Sequence, residues 1–144
     1  MKRLQAQTIL RDANAKYFTE LIRDVPGISV QARGRKADLQ GYYDFVLLVE
    51  PSKLKAGVSL GDVQAALAAE GMDCSTGGYG PVYRHMLWNI RKTGYRIHST
   101  QVVEDTSFNR VLTIPHIWLL ANKSLVKAMS KAVRKVMGAY CLPH

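Results

Sequence analysis

Tyr42-Tyr43-Asp44-Phe45-Val46-Leu47-Leu48-Val49 is the stretch on which the fold turns. It is rich in aromatic and β-branched residues, too short for a typical helix and mostly without polar alternation, so it reads as a buried central strand. Ile28-Ser29-Val30 ahead of it reads as a short strand, and residues 31–40 between the two are polar, basic and glycine-containing, as in a surface loop. Further upstream, from about Leu4 to Asp24, Leu10, Ala13, Tyr17 and Leu21 with Ile9, Phe18 and Ile22 recur at helical steps. Val25-Pro26-Gly27 ends that amphipathic helix.

Downstream, Ser59-Leu60-Gly61-Asp62 has the form of a capping box, with Asp62 in place of the usual Glu. The helix it opens carries Val63, Ala66 and Leu67 and closes at Gly71. Met72 to Thr76 fits a short strand, and Arg110-Val111-Leu112-Thr113-Ile114 another, with Pro115 marking its end. Trp88 to Phe108 shows only weak periodicity and reads as irregular. A last helix begins at Asn122 or Ser124 and keeps Leu125, Val126, Met129, Val133 and Val136 in helical spacing up to Gly138. This order of elements predicts an α+β fold, a small and mainly antiparallel sheet with helices packed on one face.

At 144 residues the chain is long enough for one domain, 1–144, that needs neither disulfide nor metal for stability. No apolar run approaches the roughly 20 residues that span a bilayer, and the polar start carries no signal core, so a cytoplasmic protein is expected. Cys74 and Cys141 form no CxxC pair, and His85, His98, His116 and His144 show no ligand spacing, so reduced thiols and no metal are expected. The net charge of +9 suits an anionic partner, with basic residues clustered at Arg33, Arg35 and Lys36 and along the last helix. On that helix a solvated face explains the charges as well. A basic module binding nucleic acid or a phosphorylated ligand is the alternative reading, but no RNP-like aromatic strand pair or GxxG loop supports it.

Function is expected in Gly77-Gly78-Tyr79-Gly80-Pro81-Val82-Tyr83-Arg84-His85-Met86-Leu87-Trp88-Asn89. Its glycines and proline force a shaped loop, and a density of stacking and hydrogen-bonding side chains follows. Aromatics after such a turn equally serve to plug the edge of a core. No complete catalytic set accompanies the loop. Cys74 and His85 lack a strand-turn-helix frame, the glycines lack GxGxxG spacing and a following GK[ST], and Glu50, Asp62 and Glu70 have structural explanations.

Several motifs in one order nevertheless resemble a known family. Tyr42 to Glu50, Gly57-Val58-Ser59 opening a helix that ends Ala69-Glu70-Gly71-Met72, the Tyr79 to Asn89 loop and Pro115-His116-Ile117-Trp118-Leu119-Leu120 are similar to the C-terminal small domain of the DegT/DnrJ/EryC1/StrS aminotransferases. The resemblance runs from about Arg11 to about Gly138, and the loop is most similar to the branch that aminates cyclitol ketones in aminoglycoside antibiotic biosynthesis. Such enzymes depend on pyridoxal phosphate (PLP), and the large domain carries the Schiff-base lysine. No stretch of this chain corresponds to that domain. The resemblance therefore implies that no covalent cofactor is bound by this chain and that a large-domain partner completes the site, with a keto-sugar or cyclitol and an amino donor as small-molecule ligands. A fragment, a separate subunit and a derived binding domain are all compatible with it; the first two are favoured, and Met1 just before the first helix suits either. By the same resemblance Tyr79, Tyr83, Arg84 and His85 are the substrate contacts, His85 foremost, while His116 is expected to be a packed or capping histidine. Leu4, Ile9, Tyr17 or Phe18, which would face the large domain, are expected to be partly exposed and to drive self-association or partner binding.

Overall fold

The computed structural model describes residues 2–86 and 88–143; Met1, Leu87 of the loop motif and His144 lie outside the described residues. The chain runs through α1 (Lys2–Ile22), β1 (Ile28–Val30), β2 (Asp44–Val49), α2 (Leu60–Ala69), β3 (Ser75–Thr76), α3 (Gln101–Asp105), β4 (Val111–Pro115) and α4 (Lys123–Tyr140). The four strands form one antiparallel sheet in the order β1-β2-β4-β3. The α+β class, the antiparallel sheet and the central position of β2 are therefore as expected.

Register explains why the core lies on one side. Phe45 pairs with Ile114 and Leu47 with Leu112, so their side chains share a face, and all four are essentially fully buried. Phe18 of α1 meets Phe45 edge to ring at 5.5 Å, and Val126, Met129, Val133 and Met137 of α4 complete the same core. The other face differs from the sequence expectation of a strand buried throughout. Val46 and Leu48 are half-buried, because helices cover only the face of Phe45, Leu47 and Val49.

The capping box forms as expected, with Asp62 N donating to Ser59 Oγ and Ser59 N donating to Asp62 Oδ2 at 2.8 Å. Asn122 caps α4 by accepting from Leu125 N at 3.0 Å. Leu125 itself is exposed, on the solvent side of the α4 stripe. Residues 101–108, within the segment expected to be irregular, instead form α3 and most of a π turn over Thr106–Arg110, which also takes in Arg110, expected to open the strand. This segment has no apolar stripe to announce it, since Val102 and Val103 are both exposed. Among the described residues no helix is long and apolar enough to cross a membrane.

On α1 the buried side holds Asp12, Asn14, Ala15, Phe18 and Ile22, whereas Leu4, Ile9 and Leu10 face solvent. Phe18 is thus core rather than interface, and Tyr17 is half-buried. The two polar residues on the buried side are satisfied. Asn14 Nδ2 donates to the carbonyls of Leu119 and Ala121 at 2.9 and 2.8 Å, tying α1 to the turn before α4. Asp12 accepts from Arg33 Nη1, from Lys16 Nζ at 2.8 Å and from Gln40 N, which pins the 31–40 loop onto the helix.

Burial alone would raise the Asp12 pKa, but its bonds to Arg33 and Lys16 outweigh that and hold it below the usual carboxylate value. Its stabilisation is therefore present above the unfolded value of about 3.9 and is lost as pH falls through the lower folded value. Asp12→Ala is expected to cost about 1–3 kcal/mol in urea unfolding at neutral pH, less than a fully buried pair because both cations keep access to water. The gap between wild type and variant should close in acid; a gap that stays constant with pH would contradict this role.

Candidate functional site

The loop that follows β3 is shaped by its glycines. Gly77, Gly78 and Gly80 have φ of 74°, 51° and 66°, the left-handed region where a Cβ is costly. Gly77 N donates to Val111 O at 3.1 Å and Gly80 N to Gly77 O at 2.9 Å, so the backbone closes a tight turn against β4. A Cβ on Gly77 would stand 3.1 Å from the Ser107 carbonyl, so the π turn crosses directly over the loop. Between them lies an open cleft of about 320 Å³, formed by Thr76 to Gly80 with Ser107 and Phe108. Pro81 then leads into a short 3₁₀ turn, Val82–Arg84.

Of the four side chains singled out from sequence, two converge. Tyr83 Oη donates to Glu104 Oε1 at 2.6 Å, and Arg84 donates to the same carboxylate through Nε at 2.8 Å and Nη2 at 2.7 Å. The Arg84 guanidinium also lies 5.4 Å over the Phe108 ring, one wall of the cleft. Tyr79 turns elsewhere. Its hydroxyl is 2.6 Å from that of Tyr43, and the two rings stack with centroids 6.2 Å apart. His85 is exposed at the C-terminal end of the 3₁₀ turn.

Both tyrosines are shifted toward the neutral phenol. The hydrogen bond to Tyr43 raises the Tyr79 pKa, whereas burial and then the bond to the Glu104 carboxylate raise that of Tyr83. His116 starts the turn after β4, and its Nδ1 lies 3.0 Å from the Tyr43 carbonyl, a local structural contact of the kind expected for it.

Sequence reasoning missed Tyr43, Glu104 and Phe108. Tyr43 was assigned to the strand, whereas β2 begins one residue later and leaves its side chain exposed. Glu104 and Phe108 lie in the segment that had no legible periodicity, and nothing local announces that they reach the loop.

A thiol nucleophile does not fit. Cys74 is buried, and burial followed by the charge of Asp73 pushes its thiol up to about 11. A Schiff-base lysine does not fit either. Every lysine whose side chain the structure describes is exposed, and none lines the cleft. An imine to PLP requires an amine held in a shielded pocket, and none of the described lysine side chains has one. The basic residues are partly committed to the fold. Arg33 pairs with Asp12, Arg134 with Asp24 and Lys135 with Glu70, while Lys123 lies over the Tyr17 ring.

Among solved structures, the chain is similar to 3-amino-5-hydroxybenzoic acid synthase, with a TM-score of 0.74 over 96% of its length at 18% identity. It is similar to an aminotransferase from Psychrobacter cryohalolentis, with a TM-score of 0.75 over 96% at 20% identity. The chain has the fold of an aminotransferase small domain. A DegT DnrJ EryC1 StrS aminotransferase from Brucella abortus matches over 91% of the chain, with a TM-score of 0.61 and 17% identity. The chain spans about a third of these structures' own lengths, 36%, 36% and 31%. No protein-family profile matches it.

The loop's dependence on left-handed glycine is directly testable. Gly77→Ala meets both an unfavourable φ and the Ser107 carbonyl, and is expected to cost about 1–3 kcal/mol in chemical denaturation. A neutral outcome would show that the loop does not need this turn.

Proposed function

We propose that this chain supplies the small domain of a PLP-dependent aminotransferase and completes the substrate side of an active site whose lysine and cofactor belong to a large domain outside this chain. The observation that carries the reading is coverage: nearly the whole chain, 96%, superposes on only 36% of the aminotransferases it matches. Whether as a fragment or as a subunit, the chain forms one structural unit of the enzyme, 1–144, in a cytoplasmic setting. The acceptor is a keto-sugar or cyclitol ketone, as the loop's resemblance to the cyclitol branch implies, and an amino donor serves it in turn. A polyhydroxylated ring suits the cleft, which is lined by the hydroxyl-bearing Thr76, Ser107 and Tyr79, by glycine backbone and by the aromatic residues Tyr79 and Phe108. Tyr79, Tyr83, Arg84 and His85 are the proposed contacts. Exposed Leu4, Ile9 and Leu10 on α1 supply the apolar surface for the large domain or for a second copy.

The isolated chain should show no transamination, and borohydride reduction with PLP should leave no stoichiometric pyridoxyl-lysine; a stoichiometric adduct at one lysine would overturn the proposal. In a complex with a co-expressed large-domain protein, His85→Ala is expected to lower kcat/KM about tenfold to a hundredfold. The same substitution, at an exposed side chain, should cost the isolated chain far less in chemical denaturation than a core truncation does. Lost stability with unchanged turnover would reject His85 as a contact.

A further inference from the structure

Glu104 is placed where no structural need accounts for it. Its helix, α3, is only five residues long, and both of its valines are exposed, so apolar burial does not hold it against the loop. The charged contact between α3 and the loop is made by one carboxylate. Glu104 takes both Nε and Nη2 of Arg84 and the hydroxyl of Tyr83, with its side chain only 22% exposed. A bidentate guanidinium pair with a third charge-assisted bond is the geometry in which a surface ion pair stops being negligible. Beside these residues lie the left-handed glycines, whose backbone ties only the start of the loop to β4 through Gly77 N and Val111 O.

We propose that Glu104 is a positioning residue for the loop. It fixes Arg84 over Phe108, a wall of the cleft, and holds the Tyr83 hydroxyl beside it, so these loop side chains are ordered before any ligand arrives instead of being ordered by it. This rests on the reading of the loop as a ligand site, and it adds that the site is preorganised by a residue 20 positions along the chain from Arg84. Glu104 acts through Arg84 and Tyr83 and touches no reacting atom itself.

Limited trypsin digestion of the full chain tests the latch without ligand or partner. Trypsin must take the Arg84 guanidinium into its own acidic pocket, in direct competition with Glu104. Glu104→Ala should speed cleavage after Arg84 about tenfold over wild type, while cleavage after the exposed Lys36 in the same digest stays unchanged. Glu104→Gln, which keeps an acceptor for Tyr83 but loses the charge, should fall between them. Equal rates after Arg84 in all three proteins would overturn the latch. So would a parallel rise after Lys36 with a lowered unfolding midpoint, because that marks a merely structural residue. In the complex with a large-domain protein, Glu104→Ala should lower kcat/KM about tenfold when Arg84 is present and have no further effect in an Arg84→Ala background. Equal losses in both backgrounds would show that Glu104 does not act through Arg84. A site-specific trypsin effect with turnover indifferent to both substitutions would overturn the ligand reading itself and the positioning role with it.

Discussion

The structure depends on one sheet that is buried on a single face. Phe45, Leu47 and Val49 on β2 and Leu112 and Ile114 on β4 point the same way because antiparallel pairing puts partners in register, and α1 and α4 close over them. Deleting any of these side chains would remove apolar burial of roughly 1.5–3 kcal/mol and leave a cavity as well. The one-sided arrangement also leaves the opposite face free for something else. Near β3 and β4 that face is occupied by the glycine loop and the π turn, with Thr113 buried beneath them and bonded to Ser75 at 3.1 Å.

The core and the candidate site therefore draw on different forces. The core is held by apolar area, whereas the loop is held by polar ties: Tyr79 to Tyr43, Tyr83 and Arg84 to Glu104, Gly77 to the β4 backbone. Ties of this kind are directional, and they place donors without burying the loop. Substitutions in the loop can change what it presents while leaving the sheet intact, which is the division of labour expected where a rigid scaffold carries a variable site.

The cleft is open, and among the described residues its lining holds hydroxyl groups, glycine backbone and aromatic rings with no lysine, cysteine or carboxylate. The chain has the small-domain fold of proteins about three times its length. At the start of α1, Leu4, Ile9 and Leu10 are exposed.

Much of the scaffold was legible in the sequence because its signals are local. Strand composition placed β2, Ser59 and Asp62 placed the start of α2, Pro115 the end of β4, and the start of α4 was narrowed to Asn122 or Ser124, of which the structure uses Asn122. The glycines marked the loop before its shape was visible. What only the tertiary structure decided is which face of each element is inside and which side chains meet. Periodicity on α1 pointed to Leu10 and Leu21, yet Asp12 and Asn14 are buried, because their partners on the 31–40 loop and the turn before α4 satisfy them. Glu104 reaches Arg84 from a helix with no apolar stripe, through a contact that one carboxylate makes across 20 residues of chain. Hydrophobic patterning repeats along a chain and can be read from it, whereas a polar contact between distant residues leaves no period and exists only once the fold has brought its ends together.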